Sequence, residues 1–185
     1  AATPTHDAYN SAVAELIRTP IPGKRYVVLI TDGQPTQRRG CIGNGDVCSP
    51  EPTAPIVASI AAAADEGIDT FIVGSPGSES SGCPDIPDDK RGWLSEAARF
   101  GNTGSQGCSD TGPNYCHFDV SQAADFGTAL SEALVNITKS VISCGYEVPT
   151  PTDNRVIDYN KVNMIFTDGQ DSYRLLLPNE TSACE

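Results

Sequence analysis

Apolar residues in this chain follow two patterns. Some form short continuous runs: Tyr26-Val27-Val28-Leu29-Ile30-Thr31, Ile68-Asp69-Thr70-Phe71-Ile72-Val73-Gly74 and the brief His117-Phe118-Asp119-Val120. Runs rich in β-branched and aromatic residues, bounded by Gly, Pro and Asp, read as strands buried on both faces, the kind found in parallel sheets. The others recur at helical spacing. Ala8, Ala12, Val13, Leu16 and Ile17 make one stripe over residues 5–18, with Thr3 or Thr5 available as a cap and Pro20–Gly23 as a stop. An alanine-rich stretch from Thr53 to Glu66 and a short one from Trp93 to Phe100 predict two further helices. Phe126, Leu130, Ala133, Leu134, Ile137 and Val141 make the stripe of a fourth, capped by Ser121 or Asp125.

Helices and strands therefore alternate. Strands separated by helices predict a parallel sheet with right-handed crossovers, an α/β fold of three layers, doubly wound and Rossmann-like. The texture changes after Cys144, where Pro149, Pro151 and Asp153 mark a break. Lys161–Thr167 and Ser172–Leu177 then read as two strands joined around Asp168-Gly169, a hairpin signal. The expected organisation is a domain over residues 1–142 and a small antiparallel β appendage over residues 143–185.

Composition narrows the function classes. The 185 residues carry a formal net charge of −12, which argues against nucleic acid and anionic membranes as partners. No apolar run is long enough to span a bilayer. Seven cysteines, mostly in Gly/Ser/Pro/Asp-rich loops, point to an oxidising compartment and a secreted or cell-surface location. No Cys-x-x-Cys pair occurs and His6 and His117 are far apart, so a zinc site is not expected. Pairing neighbours within loops gives Cys41–Cys48 and Cys108–Cys116, with Cys144–Cys184 closing the tail. Cys83 is then left for a cysteine outside the chain, and it is also the alternative partner of Cys116.

Enzyme chemistry finds little support. Ser78, Ser80 and Ser81 lack a Gly-x-Ser-x-Gly elbow. His117 opens a short strand, Asp88-Asp89 sit in a polar loop, and no phosphate-binding loop is present. The expectation is a protein that is not an enzyme. Asn136-Ile137-Thr138 and Asn179-Glu180-Thr181 are glycosylation sequons.

The most informative polar residue is Asp32, which ends the first strand. Ligand sites of open α/β sheets gather beyond the carboxyl ends of strands, although an Asp-Gly pair also serves as a plain turn. The order of Thr3-Pro4-Thr5 leading into a helix, Tyr26 to Gly33, Gly67 to Gly74 and Trp93-Leu94-Ser95-Glu96-Ala97-Ala98 resembles the C-terminal half of a von Willebrand factor type A domain. The cysteine-bearing loops and tail are similar to those of bacterial secreted members. The resemblance implies a metal-ion-dependent adhesion site in which Thr3 and Asp32 are ligands of Mg²⁺, or of Mn²⁺ or Ca²⁺. The family's Asp-x-Ser-x-Ser loop, the remaining part of that site, is absent from this sequence.

It further implies a protein ligand that presents a carboxylate. A missing N-terminal half of the domain, or a partner chain, is expected to pair with the strand of residues 26–31, because an open apolar edge invites aggregation. The implied role is adhesion or surface assembly. A structural scaffold with a vestigial metal site, and a hydrolase that carries the domain as an accessory, are the alternatives.

Overall fold

A computed structural model describes residues 3–19, 23–46, 48–80, 83, 90–141, 164–168 and 171–175. Among them the chain is a mixed α/β protein with four helices and a small parallel sheet of three strands. The chain divides into two compact units, Ala1–Lys139 and Ser140–Glu185.

In the first unit the order is α1 (Thr5–Arg18), β1 (Arg25–Thr31), α2 (Ala54–Asp65), β2 (Ile68–Gly74), α3 (Arg91–Phe100), β3 (Phe118–Asp119) and α4 (Phe126–Val141). The strands lie in the order β1-β2-β3 and all run parallel. The register pairs Arg25 with Ile68 and Thr31 with Gly74, so both strands end level. β2 is the central strand, and every residue of it but Asp69 is buried. That is the behaviour of a continuous apolar run covered on both sides.

The core joins α1, α2 and α3 to the sheet. Ile56, Ile60, Ile68, Ile72, Leu94 and Ala97 are fully buried in it, and Val27 and Leu29 of β1 pack against it with Val13 and Leu16 of α1. Alanines at positions 61–64 let α2 approach closely. His6 of α1 is buried, with Nε2 2.9 Å from Ser59 Oγ of α2, so the imidazole ties two helices together.

Helix starts differ from expectation in one respect. The cap of α1 is Pro4, and neither Thr3 nor Thr5 supplies a side-chain cap. At α4 it is Asp125 that caps: its carboxylate accepts bonds from the amides of Gly127 (3.0 Å) and Thr128 (3.3 Å). Ser121, the other candidate, instead donates its amide to Asp119.

The second unit contains a hairpin of β4 (Met164–Asp168) and β5 (Asp171–Leu175), antiparallel with Asp168 opposite Asp171. No described helix is long and apolar enough to cross a membrane.

Two cysteine expectations are overturned: the pair Cys41–Cys48, and the assignment of Cys83 to a cysteine outside the chain. Cys48 bonds to Cys83, not to Cys41, and Cys41 is an exposed free thiol. The reason is topological. Cys48 lies in the loop after β1 and Cys83 in the loop after β2. Adjacent parallel strands deliver those loops to the same end of the sheet, although 35 positions separate the cysteines. Cys108 is bonded to Cys116. The Cys144–Cys184 expectation lies outside the described residues, as do Asp88, Asp89 and Asn179.

Candidate functional site

The carboxyl ends of β1 and β2 open into a groove of about 620 Å³ whose lining includes Thr3, Ala8, Leu29, Asp32, Ser75 and Phe126. Both residues singled out as metal ligands, Thr3 and Asp32, line it. The fold brings them together by a specific route. The amide of Thr3 donates to Thr36 Oγ1 at 2.8 Å, and the amide of Thr36 donates to the Thr3 carbonyl at 3.2 Å. The segment that follows β1 thus doubles back and holds the residue that precedes α1. Thr36 is buried, so this clamp is shielded from water.

The turn at Asp32 is made by its neighbours. Thr31 Oγ1 lies 3.3 Å from the amide of Gly33, which donates to it, and donates in turn to the Gly33 carbonyl at 3.2 Å. The Asp32 carboxylate is exposed and accepts no hydrogen bond from any described residue. It is therefore available to a ligand and is not consumed by the turn.

Two further features shape the site. Gly77, in the loop after β2, has φ +108°, and a β-carbon there would stand 3.2 Å from the Asp32 carbonyl oxygen. Only glycine combines that left-handed backbone with so close an approach. Lys90 lies over Gly33, with Nζ 3.2 Å from where a β-carbon of that residue would be. The Lys90 ammonium group thus stands over the turn that follows β1.

As a donor set for a hard cation the groove is incomplete. Thr3, Asp32 and Ser75 offer oxygen, the ligand type that Mg²⁺ prefers. Among the described residues no group of three or more His, Cys, Asp or Glu side chains gathers to hold a metal. The residues present suit an ion that keeps most of its waters or draws further donors from another segment.

Ser75, Thr36 and Lys90 escaped the sequence reading. Ser75 could have been found, since it follows β2 directly and the same rule that selected Asp32 applies to it. Thr36 and Lys90 reach the site through loop geometry that no local pattern encodes.

Away from the groove, Ser95 Oγ is 2.9 Å from His117 Nδ1, a hydroxyl–imidazole contact. Both residues are buried, and Ser95 also accepts the amide of Cys116 at 3.0 Å. His117 packs where Gly74 lacks a side chain: a β-carbon there would lie 2.9 Å from Nε2. The pair joins α3 to the loop before β3 and is closed to a substrate.

No family model matches this chain, and neither a curated protein nor a solved structure matches it.

Proposed function

We propose that this chain is an extracellular, non-enzymatic protein of adhesion or surface assembly. In this reading it carries part of a three-layer, doubly wound von Willebrand A-type domain. Thr3 and Asp32 contribute to a divalent-cation site, with Mg²⁺ the expected ion and Mn²⁺ or Ca²⁺ able to replace it. A segment pairing with the strand of residues 26–31 supplies the remaining donors, and a carboxylate of a protein ligand completes the coordination. The observation that carries the proposal is the convergence of Thr3 and the uncommitted Asp32 carboxylate on one groove at the carboxyl ends of β1 and β2. Two loop disulfides, Cys48–Cys83 and Cys108–Cys116, suit an oxidising location.

Two protein ligands bind such a cation weakly, so the direct test uses a sensitive probe. Millimolar Mn²⁺ should broaden the amide resonances of Thr3 and Asp32 selectively, EDTA should restore them, and Asp32→Ala should abolish the effect with the fold intact. Uniform broadening, or broadening that survives in Asp32→Ala, counts against the metal site.

The scaffold reading, with a vestigial site, is favoured by one observation: among the described residues no group of three or more acidic, histidine or cysteine side chains gathers to hold a metal. Binding to a protein partner that is equal in Mg²⁺ and in EDTA would select it.

A further inference from the structure

We propose that a second cavity, between the start of α1, the loop after β1 and the start of α2, binds a small zwitterion of the α-amino-acid class with a short aliphatic side chain. The proposal is independent of the reading above, since no described residue lines both this cavity and the groove.

The cavity has a volume of about 230 Å³. Pro35, Pro52 and Pro55 supply apolar wall, while His6, Arg38 and Glu51 bring polar groups to it. Apolar walls with a few polar groups are the usual make-up of a small-molecule site.

The hydrogen bonds of His6 fix which ring nitrogen carries the proton. The residue is only 8% exposed. The Ser59 hydroxyl donates its one proton to the Pro55 carbonyl at 3.1 Å. It is then left to accept from His6 Nε2, 2.9 Å away. Neutral His6 therefore carries its proton on Nε2 and keeps a bare lone pair at Nδ1. Nδ1 bonds to no described residue and is not sealed from water. The cavity that His6 lines is the space open to it.

The two charges are uncommitted as well. Arg38 and Glu51 form no ion pair with one another, and neither side chain bonds to any other described residue. Their backbones are nevertheless held. The Glu51 amide donates to the Pro35 carbonyl at 2.9 Å, and Arg38 and Ile42 exchange backbone bonds at 2.8 and 3.3 Å. Gly43, at φ +146°, keeps space clear beside the carboxylate: a β-carbon there would lie 3.2 Å from Glu51 Oε1 and 2.5 Å from the Thr36 carbonyl oxygen.

This donor set selects the ligand. A carboxylate suits the Arg38 guanidinium, and an ammonium group suits Glu51 and the Nδ1 lone pair. A simple anion would leave Glu51 unanswered and a simple amine would leave Arg38 so, whereas a zwitterion meets both. The proline walls suit a short aliphatic side chain.

The probe is L-valine, offered to the full chain in EDTA and followed by calorimetry and by nitrogen NMR of His6. Binding should saturate and should shift Nδ1 more than Nε2, and the free chain should show the Nε2–H tautomer. N-acetyl-L-valine lacks the ammonium group and L-valinamide lacks the carboxylate. Both compounds, and L-valine with Arg38→Gln or Glu51→Gln, lose a charge-assisted hydrogen bond and should bind about tenfold more weakly or worse. Arg38 is exposed and Glu51 half-buried, so neither replacement reaches the core. Four outcomes overturn the proposal: no saturable binding, which would leave the cavity to water; equal binding of either blocked compound; unchanged binding by either variant; or an Nδ1–H tautomer in the free chain.

Discussion

The carboxylate of Asp7, in the first turn of α1, accepts the backbone amides of Gly40 at 3.0 Å and of Cys41 at 2.8 Å. The Cys41 thiol also points to it, with Sγ 3.4 Å from Oδ2. Asp7 thereby anchors the loop after β1 to the helix that opens the groove. The two amide bonds hold the Asp7 carboxyl below its ordinary range, while its hydrogen bond and negative charge push the Cys41 thiol up. Asp7→Asn removes the charge, so the thiolate fraction of Cys41 near pH 8 should rise. Alkylation by iodoacetamide should become severalfold faster, and no change in rate would show that access, not charge, controls the thiol.

A second expectation concerns the bonded cysteines. Non-reducing peptide mapping should recover Cys48 linked to Cys83 and Cys108 linked to Cys116, with Cys41 alkylated without reduction. In the chain-entropy model the Cys48–Cys83 loop contributes about 4 kcal/mol and the shorter Cys108–Cys116 loop about 2.5 kcal/mol. The double replacement Cys48→Ser/Cys83→Ser should therefore lower the urea midpoint more than Cys108→Ser/Cys116→Ser. The reverse order would show that native strain outweighs loop length.

The disulfide result also marks the limit of what the sequence carried. Strands and helices were legible because apolar periodicity is local: Ile68–Gly74 is read directly from seven adjacent residues. The position of Asp32 was legible because ligand sites follow strand ends. The partner of Cys48 was not, because pairing by loop ignores which loops parallel strands set side by side. The clamp between Thr3 and Thr36 failed to show for the same reason. A threonine beside a helix start reads as a cap, and only the folded chain shows that its backbone is tied to a residue beyond β1.

Acid should loosen the molecule at two identifiable points. Hydrogen bonds from the Thr128 side chain and amide, and from the Gly127 amide, hold the Asp125 carboxyl below its ordinary range, and backbone amides do the same for Asp7. A folded value lower than the unfolded one means stabilisation that is present above the unfolded pKa and lost as pH falls through the folded one. Exchange of the Thr128 and Cys41 amides should accelerate below about pH 4, relative to its intrinsic pH dependence. In Asp125→Asn, which keeps an acceptor without a titrating group, the acid-induced change at Thr128 should vanish while that at Cys41 persists. An unchanged profile at Thr128 would remove Asp125 from the capping role.

Tyr9 and Thr70 offer the clearest measure of how α1 is fixed to the sheet. Tyr9 Oη lies 2.9 Å from Thr70 Oγ1, and both residues are buried, Thr70 completely. Burial pushes the Tyr9 phenol up, so it stays neutral throughout the ordinary pH range. Tyr9→Phe removes the phenol oxygen and leaves the Thr70 hydroxyl without it, a loss of about 1–3 kcal/mol. Thr70→Val alone leaves the phenol unpartnered and should cost a similar amount. The double variant leaves no polar group behind and should lose less than the sum of the two, a coupling of about 1 kcal/mol in a double-mutant cycle. Since α1 carries Thr5 and Ala8 of the groove, each single variant should also speed exchange in the first turn of that helix. Additive losses with no change at α1 would show that apolar packing, and not this hydrogen bond, holds the helix in place.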